Sequence, residues 1–247
     1  MLARIAETYR RTRKPKDLLW NRFVARPLAA VVLVPLAATR VTPNQVTLAT
    51  LVVFAGSIAM LVVLPGWPAL LGAVAVLELA YVLDCVDGQL ARLRGTSTPI
   101  GAHLDFLMDE LKAFLLVAGV SVRLWRGDGQ IRWLLEGLVA LVGVASAISL
   151  TTFLRRPEYA AATGATVKQG LGDYGEGFAA AAPARRLSPT RLIEMAGSFV
   201  MHYPSYIVFV ALADRLDIFL HAYLLVNAAH TGRSLLGISF KLGRTKA

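Results

Sequence analysis

Residues 84–109 read DCVDGQLARLRGTSTPIGAHLDFLMD and carry four aspartates in a chain of which only 17% is charged. Asp84 and Asp87 are three residues apart, and Asp105 and Asp109 are four apart, so each pair lies on one face of a helix if the segment is helical. Four gathered carboxylates are costly unless cations neutralise them, and oxygen ligands suit hard divalent ions. The stretch therefore predicts a site for two divalent metal ions, Mg²⁺ or Mn²⁺.

Small residues and one arginine follow the first aspartate pair. Gly88 comes directly after Asp87, and Ala91 lies one turn further on, so the backbone is bare enough for a ligand to approach closely. Arg92 adds a fixed cation beside that surface. Phosphate oxygens bridge metal ions and accept bidentate hydrogen bonds from arginine. These residues predict a site for a diphosphate, and a nucleoside diphosphate would fit it.

The spacing of this stretch resembles the signature of the CDP-alcohol phosphotransferase (CDP-alcohol phosphatidyltransferase) family, in every fixed position and every gap. The resemblance implies an integral membrane enzyme of phospholipid biosynthesis. Such an enzyme transfers a substituted phosphate, typically phosphatidyl, from a CDP-linked donor such as CDP-diacylglycerol to an alcohol and releases CMP. The matching residues are Asp84, Asp87, Gly88, Ala91, Arg92, Gly101, Asp105 and Asp109.

The resemblance also implies a role for each matching residue. The four aspartates would hold the metal ions, and Asp109 would also be the base that takes the proton of the acceptor hydroxyl. A Thr-Pro-Asn stretch like 42–44 precedes the first span in the family, so Pro43 and Asn44 are either neighbours of the cytidine or a plain helix cap. The diphosphate and nucleotide would contact Gly88, Ala91, Arg92 and Gly101.

A second class of function competes with the transferase. Acidic clusters inside a membrane also mark the ion paths of cation transporters and channels. A cation path does not require an arginine one turn from its acidic residues. Arg92 lies about one turn after Asp87. The arginine therefore favours the transferase over the transporter.

Composition favours a membrane protein. The 247 residues are 56% hydrophobic and 17% charged, whereas soluble domains have about a quarter charged residues. The net charge of +10 does not indicate nucleic-acid binding, because the basic residues lie between apolar runs and not on one soluble face. They are typical of charges that flank membrane spans.

The predicted fold is all-α and polytopic, with six transmembrane helices in a domain over residues 46–247. The second span ends at Leu83, which would place the aspartates at a helix end, and 157–191 forms a long cytoplasmic connection. The spans are 46–64, 69–83, 100–122, 133–154, a fifth from about Pro189 to Leu212, and 218–240.

The preceding residues 1–45 are predicted to be a cytoplasmic N-terminus with an interfacial amphipathic helix. The apolar run 27–39 is too short to cross roughly 30 Å of hydrocarbon as a helix. Trp20 and Phe23 would then enter the lipid while Arg22 and Arg26 face the headgroups. The alternative is a helix packed in the bundle.

The distribution of Lys and Arg predicts the orientation. If the N-terminus is cytoplasmic, all but four of the 26 basic residues lie on that side, the exceptions being Arg123, Arg126, Arg132 and Arg215. The positive-inside rule then places the aspartates at the cytoplasmic face. The Ala, Leu, Val and Arg bias hints at a bacterial inner membrane.

The acceptor is suggested by charge. Arg155, Arg156 and Arg233 end or interrupt predicted spans on the cytoplasmic side, where they would bind a phosphorylated acceptor such as inositol phosphate or glycerol phosphate. The alternative is that they only fix topology and contact anionic lipid headgroups.

Assembly is suggested by small residues in two of the predicted spans. These residues permit close helix approach, and family members commonly form homodimers, so we expect a homodimer. The small residues are Ala113, Ala118, Gly119, Gly137, Gly143 and Ala145.

Overall fold

The computed structural model describes residues 2–12, 17–18, 20–163, 199–200 and 202–242, and within these ranges it is helical without strands. The predicted all-α class is confirmed. Most of the predicted connection 157–191 and the first part of the predicted fifth span lie outside the described residues. The described helices are α1 Leu2–Thr12, α2 Arg26–Leu36, α3 Pro43–Val63, α4 Trp67–Arg94, α5 Pro99–Asp128, α6 Arg132–Leu154, α7 Pro157–Thr163, α8 Ile207–Leu212 and α9 Leu216–Leu242. A π-helical turn, Asn21–Ala25, leads into α2, and a 3-10 turn, Tyr203–Ser205, precedes α8.

The ends of the long helices follow from their local sequence. Thr42 caps α3 by accepting a hydrogen bond from the backbone of Gln45, whose side chain accepts one from the Thr42 backbone, so α3 begins at Pro43. Thr98 caps α5 in the same position before Pro99. α4 ends where Gly95 adopts φ 65°, a left-handed conformation that glycine adopts without strain.

Three of the six predicted spans are helices long and apolar enough to cross a membrane, and these are α3, α4 and α6 among the described residues. Together with the composition they make the chain an integral membrane protein. α5 and α9 cover the third and sixth predicted spans but are more polar. α5 carries Asp105, Asp109 and Lys112, and α9 carries Asn227 and Arg233. Six spans therefore remains a prediction.

α3 joins α4 and α5 in the described bundle. α3 packs against both of them, and α6 packs between α5 and α9. Their contact faces are filled by fully buried side chains, among which Phe54, Leu77 and Leu116 belong to one apolar core with Phe219. A second core joins α2 to the end of α4 where the aspartates lie. The aspartate-bearing segment is therefore held from both sides.

The N-terminal segment packs differently from the prediction in one respect. Arg26 does not face headgroups; its side chain is buried, its Nε pairs with Asp17, and its backbone carbonyl accepts a hydrogen bond from Gln89. α2 lies against α4 through Ala29 and Leu33. The packed-helix alternative therefore describes α2, because an ion pair and an apolar contact fix this face to the bundle.

Two glycines of the predicted dimer surfaces lie inside the protomer. A Cβ on Gly119 would be 2.6 Å from Cγ2 of Ile58, and a Cβ on Gly137 would be 2.2 Å from Oγ and 2.5 Å from Cβ of Ser121. These glycines allow α3, α5 and α6 to approach each other closely. Since that role is internal, they give no support to the homodimer, which remains a prediction.

We expect Gly137→Ala to destabilise the protein by about 1–3 kcal/mol, because the backbone of Ser121 must move to admit the new methyl group. Gly143→Ala is the matched control in the same helix, since its Cβ would meet the nearest atoms only at 3.9–4.0 Å. Thermal unfolding in one detergent would compare the two variants. Equal stability of both would contradict the tight α5–α6 contact.

Candidate metal and diphosphate site

The four aspartates project from the sides of two neighbouring helices. α4 runs without a break through Asp84 and Asp87 to Arg94. The first aspartate pair therefore lies within a helix, as its spacing predicted, and the last turns of that helix extend beyond the predicted span 69–83. Apolar side chains such as Val86 and Leu90 continue the buried face of α4 past the aspartates, so the helix has a packing surface as far as Gly95.

Three of the aspartates form a cluster. Asp84 of α4 and Asp105 and Asp109 of α5 each offer a carboxylate oxygen, and these oxygens lie within 4.8 Å of one another in the described part of the chain. Oxygens on opposite sides of a hard cation are about 4–5 Å apart. The donor set and its spacing therefore fit a divalent metal ion.

Lys112 lies against this cluster. It follows Asp109 by one turn of α5, and its Nζ contacts Oδ1 of Asp84 and is 2.7 Å from Oδ1 of Asp109. Its side chain is only 3% exposed, so the charge is withdrawn from water. One cation of the protein itself thus offsets part of the negative charge.

Asp87 lies in a different environment. It is buried, and its Oδ2 accepts a hydrogen bond of 2.5 Å from the hydroxyl of Thr47 on α3. It is not among the three clustered carboxylates. Sequence reasoning missed Thr47, although its position three residues after Asn44 places both on one face of α3.

Arg92 covers Gly88. A Cβ on Gly88 would lie 3.3 Å from Nη1 of Arg92, so the guanidinium occupies the space over the bare backbone. Its Nε donates a 2.9 Å hydrogen bond to the carbonyl of Thr12 at the end of α1. Its Nη2 is buried and lacks a hydrogen-bond partner among the described residues. That donor is available for an anion, which suits a diphosphate.

The start of α3 meets the start of α5. A Cβ on Gly101 would be 3.5 Å from Oδ1 of Asn44, and Arg94 at the end of α4 donates to the carbonyl of Val41 at 2.5 Å. Pro43 is the first residue of α3, between the capping residue Thr42 and Asn44. The helix-cap and ligand-neighbour interpretations of Pro43 and Asn44 are therefore compatible.

The sequence of this region matches a known family. The profile of the CDP-alcohol phosphatidyltransferases covers residues 40–170, which includes the four aspartates, Arg92 and Lys112. The chain belongs to this family. It is therefore a membrane phosphotransferase of phospholipid synthesis, and the predicted relationship is confirmed. Among curated proteins, none matches the sequence.

Two solved structures resemble the phosphotransferase in fold. Both are phosphatidylinositol phosphate synthase of Mycobacterium tuberculosis, one with CDP-DAG bound and one in complex with manganese and citrate. The first has a TM-score of 0.56 at 18% identity and covers 90% of this chain and 98% of the synthase. The second has a TM-score of 0.52 at 19% identity and covers 89% and 92%. At this identity the likeness concerns the fold.

The arginines predicted to bind the acceptor differ in burial in the structure of the phosphotransferase. The guanidinium of Arg155 lies 5.3 Å from the ring centroid of Phe106, the residue after Asp105. Its Nη1 is buried without a hydrogen-bond partner in the described part of the chain. Arg156 and Arg233 are exposed. Arg155 therefore contacts the helix that carries the cluster.

A polar network links distant segments beside the cluster. The hydroxyl of Tyr81, one turn before Asp84, is 2.5 Å from Oδ1 of Asn21 and 2.7 Å from Nε2 of His202, and His202 also bonds Ser205. Sequence reasoning missed this network because its members lie far apart in the chain and share no spacing pattern. It fixes the N-terminal segment and the 3-10 turn against α4.

Proposed function

We propose that the phosphotransferase moves a phosphatidyl group from CDP-diacylglycerol to a phosphorylated alcohol and releases CMP. The observation that carries the proposal is the three-carboxylate cluster of α4 and α5 in the same motif as the guanidinium that covers Gly88. CDP-DAG in the M. tuberculosis structure of the same fold is the reason for choosing this donor.

The residues of the cluster fit divalent metal ions, with Asp84, Asp105 and Asp109 as ligands and Asp87 as the fourth. Bound Mg²⁺ or Mn²⁺ would neutralise the donor diphosphate and make CMP a better leaving group. The manganese in the second M. tuberculosis structure supports this choice of ions. Two ions are proposed, because four carboxylates carry more charge than one divalent ion neutralises.

Arg92 and the glycines position the donor in this proposal. Nη2 of Arg92, which has no hydrogen-bond partner in the described part of the chain, donates to a diphosphate oxygen, and the bare backbone at Gly88 and Ala91 admits the nucleotide. Asn44 and Gly101, which face each other at the starts of α3 and α5, border the cytidine with Pro43. The donor therefore lies along the ends of three helices.

Asp109 is proposed as the general base. Its side chain is 45% exposed, against 16% for Asp84, so an acceptor from water reaches it more easily. The acceptor oxygen attacks the phosphorus that bears the lipid, the bond from that phosphorus to the oxygen of CMP breaks, and Asp109 takes the hydroxyl proton. No covalent intermediate on the protein is required.

The direct test is CMP release by the purified protein from CDP-diacylglycerol in Mg²⁺ or Mn²⁺, with one acceptor at a time. The acceptors compared are inositol phosphate, glycerol phosphate, inositol and serine. We expect turnover with a phosphorylated acceptor and none in EDTA. Turnover with only an unphosphorylated alcohol would contradict the proposed acceptor class and leave the transferase intact.

Arg155 is the residue on which the acceptor class depends. We expect Arg155→Ala to raise the KM of the phosphorylated acceptor about tenfold or more, the effect of losing a hydrogen bond to a charged group. Arg156→Ala is the matched control, since Arg156 is the exposed neighbour. If these arginines only fix topology or contact lipid headgroups, the KM of the phosphorylated acceptor should be the same in both variants and in the wild type.

The proposed setting is a bacterial inner membrane, with six spans and the cluster at the cytoplasmic face. Arg92, Arg94 and Arg155 lie at the helix ends near the cluster, as the positive-inside rule requires of the cytoplasmic side. We further propose that the phosphotransferase forms a homodimer and that membrane lipids surround it. Its mass in mild detergent and in nanodiscs tests the assembly, and a monomer in both would contradict it.

A further inference from the structure

Lys112 is not part of the family signature, yet it contacts two of the three clustered carboxylates. Its Nζ contacts Asp84 of α4 and Asp109 of α5, so it joins the two helices that build the site. Its side chain is 3% exposed. Burial of an ammonium group is unfavourable unless partners compensate it, and here the partners are the proposed metal ligands.

The oxygens that Lys112 contacts belong to the cluster that fits a divalent ion. A carboxylate that bonds an ammonium group can still ligate a metal through its other oxygen or share the same one. In either case Lys112 and the metal ion are bound by the same two carboxylates, Asp84 and Asp109. Their mutual repulsion opposes metal binding, while the attraction of Lys112 for Asp84 and Asp109 holds the cluster together in the absence of metal.

We propose that Lys112 is a built-in counter-cation that assembles Asp84 and Asp109 before metal binds and weakens the affinity of the site for divalent ions. The proposal rests on the proposed function, since it takes the cluster as the metal site. Its consequence is that tight metal binding needs the negative diphosphate of the donor as well as the protein. Lys112 is thus a positioning residue that couples metal occupancy to the donor.

The test measures Mn²⁺ binding, without donor, by calorimetry for the wild type, Lys112→Met and Lys112→Arg. Methionine keeps the length of the side chain and removes the charge, and arginine keeps the charge. We expect Lys112→Met to bind Mn²⁺ about tenfold or more tightly than the wild type, the order expected from removing a unit charge a few ångströms from the ion. Lys112→Arg should bind close to the wild-type affinity. The matched control is Arg126→Gln, an exposed cation near the other end of α5.

Thermal unfolding gives the second readout. In EDTA, Lys112→Met should melt below the wild type because its carboxylates lose their counter-charge, and Mn²⁺ should raise its Tm more than it raises that of the wild type. Mn²⁺ affinity in Lys112→Met equal to or weaker than wild type would overturn the proposal. Equal Mn²⁺ shifts of Tm would do the same.

The outcomes separate this proposal from the proposed function. A wild type that binds no Mn²⁺ with or without donor contradicts the metal site itself. A wild type that binds Mn²⁺ while Lys112→Met binds no more tightly contradicts only the role of Lys112. If Lys112→Met folds neither in EDTA nor in Mn²⁺, the wild type provides the test. The proposal requires the wild type to remain folded in EDTA, and unfolding of the wild type there would refute the role of Lys112 as a counter-cation.

Discussion

Asp105→Asn is expected to lower the rate of CMP release at least a hundredfold while the protein stays folded. Asparagine keeps the shape of the side chain but removes the negative charge that the metal needs. Metal ions contribute several kcal/mol to the stabilisation of a phosphoryl-transfer transition state, and each 1.4 kcal/mol is about tenfold in rate. Asp105 is the cleanest choice, because Lys112 contacts the other two members of the cluster.

The rate is measured with saturating CDP-diacylglycerol and acceptor over a range of Mn²⁺ concentrations, and circular dichroism reports the fold. Asp128→Asn is the matched control: Asp128 is an exposed residue at the other end of α5, where it accepts a 2.8 Å hydrogen bond from the indole of Trp133. It should keep wild-type activity. Full turnover of the wild type in EDTA would show that the cluster does not act through metal.

Asp109→Asn is expected to separate chemistry from binding. General-base catalysis contributes roughly 10²–10⁴-fold, so kcat should fall by that order. The donor has other partners in Arg92 and the remaining carboxylates, and its Kd should change much less. Asp109 is also the more exposed of the two carboxylates that contact Lys112, as a group that meets the acceptor should be.

The measurement pairs kcat from CMP release with the Kd of CDP-diacylglycerol from calorimetry in Mn²⁺. Asp105→Asn is the internal comparison, since loss of a ligand should weaken donor binding and turnover together. If Asp109→Asn loses donor affinity to the same degree as Asp105→Asn, Asp109 is primarily a metal ligand. A variant with nearly wild-type kcat would require a different base.

The sequence alone predicted the family, the helical class and the membrane location. The eight signature residues predicted the family because the chemistry of a diphosphate site needs fixed residue types at fixed spacings on adjoining helices. Composition predicted a membrane protein, since a chain this apolar has too little charge to cover a soluble surface. The start of α3 at Pro43 could also be read from the sequence, because proline and asparagine are local signals for the start of a helix.

Local signals could not show which distant side chains meet. The part of α4 beyond the predicted span end at Leu83 packs through Val86 and Leu90 against α2, and the sequence of 84–94 by itself does not show that partner. Asp87 accepts its hydrogen bond from Thr47, forty residues away. The burial of Arg26 depends on Asp17 and on the packing of α2.

The tertiary structure therefore decided how the charges of this protein are compensated. The charge of each aspartate and of the arginine in the motif is a property of the sequence. The free-energy cost of burying that charge depends on the partner that the fold places beside it. Lys112 shows this most clearly: its spacing places it near Asp109 on α5, whereas its contact with Asp84 exists only because the fold places α4 and α5 on the same helix, α3. Residue types and their spacing along one helix are properties of the sequence, and contacts between helices are properties of the packing.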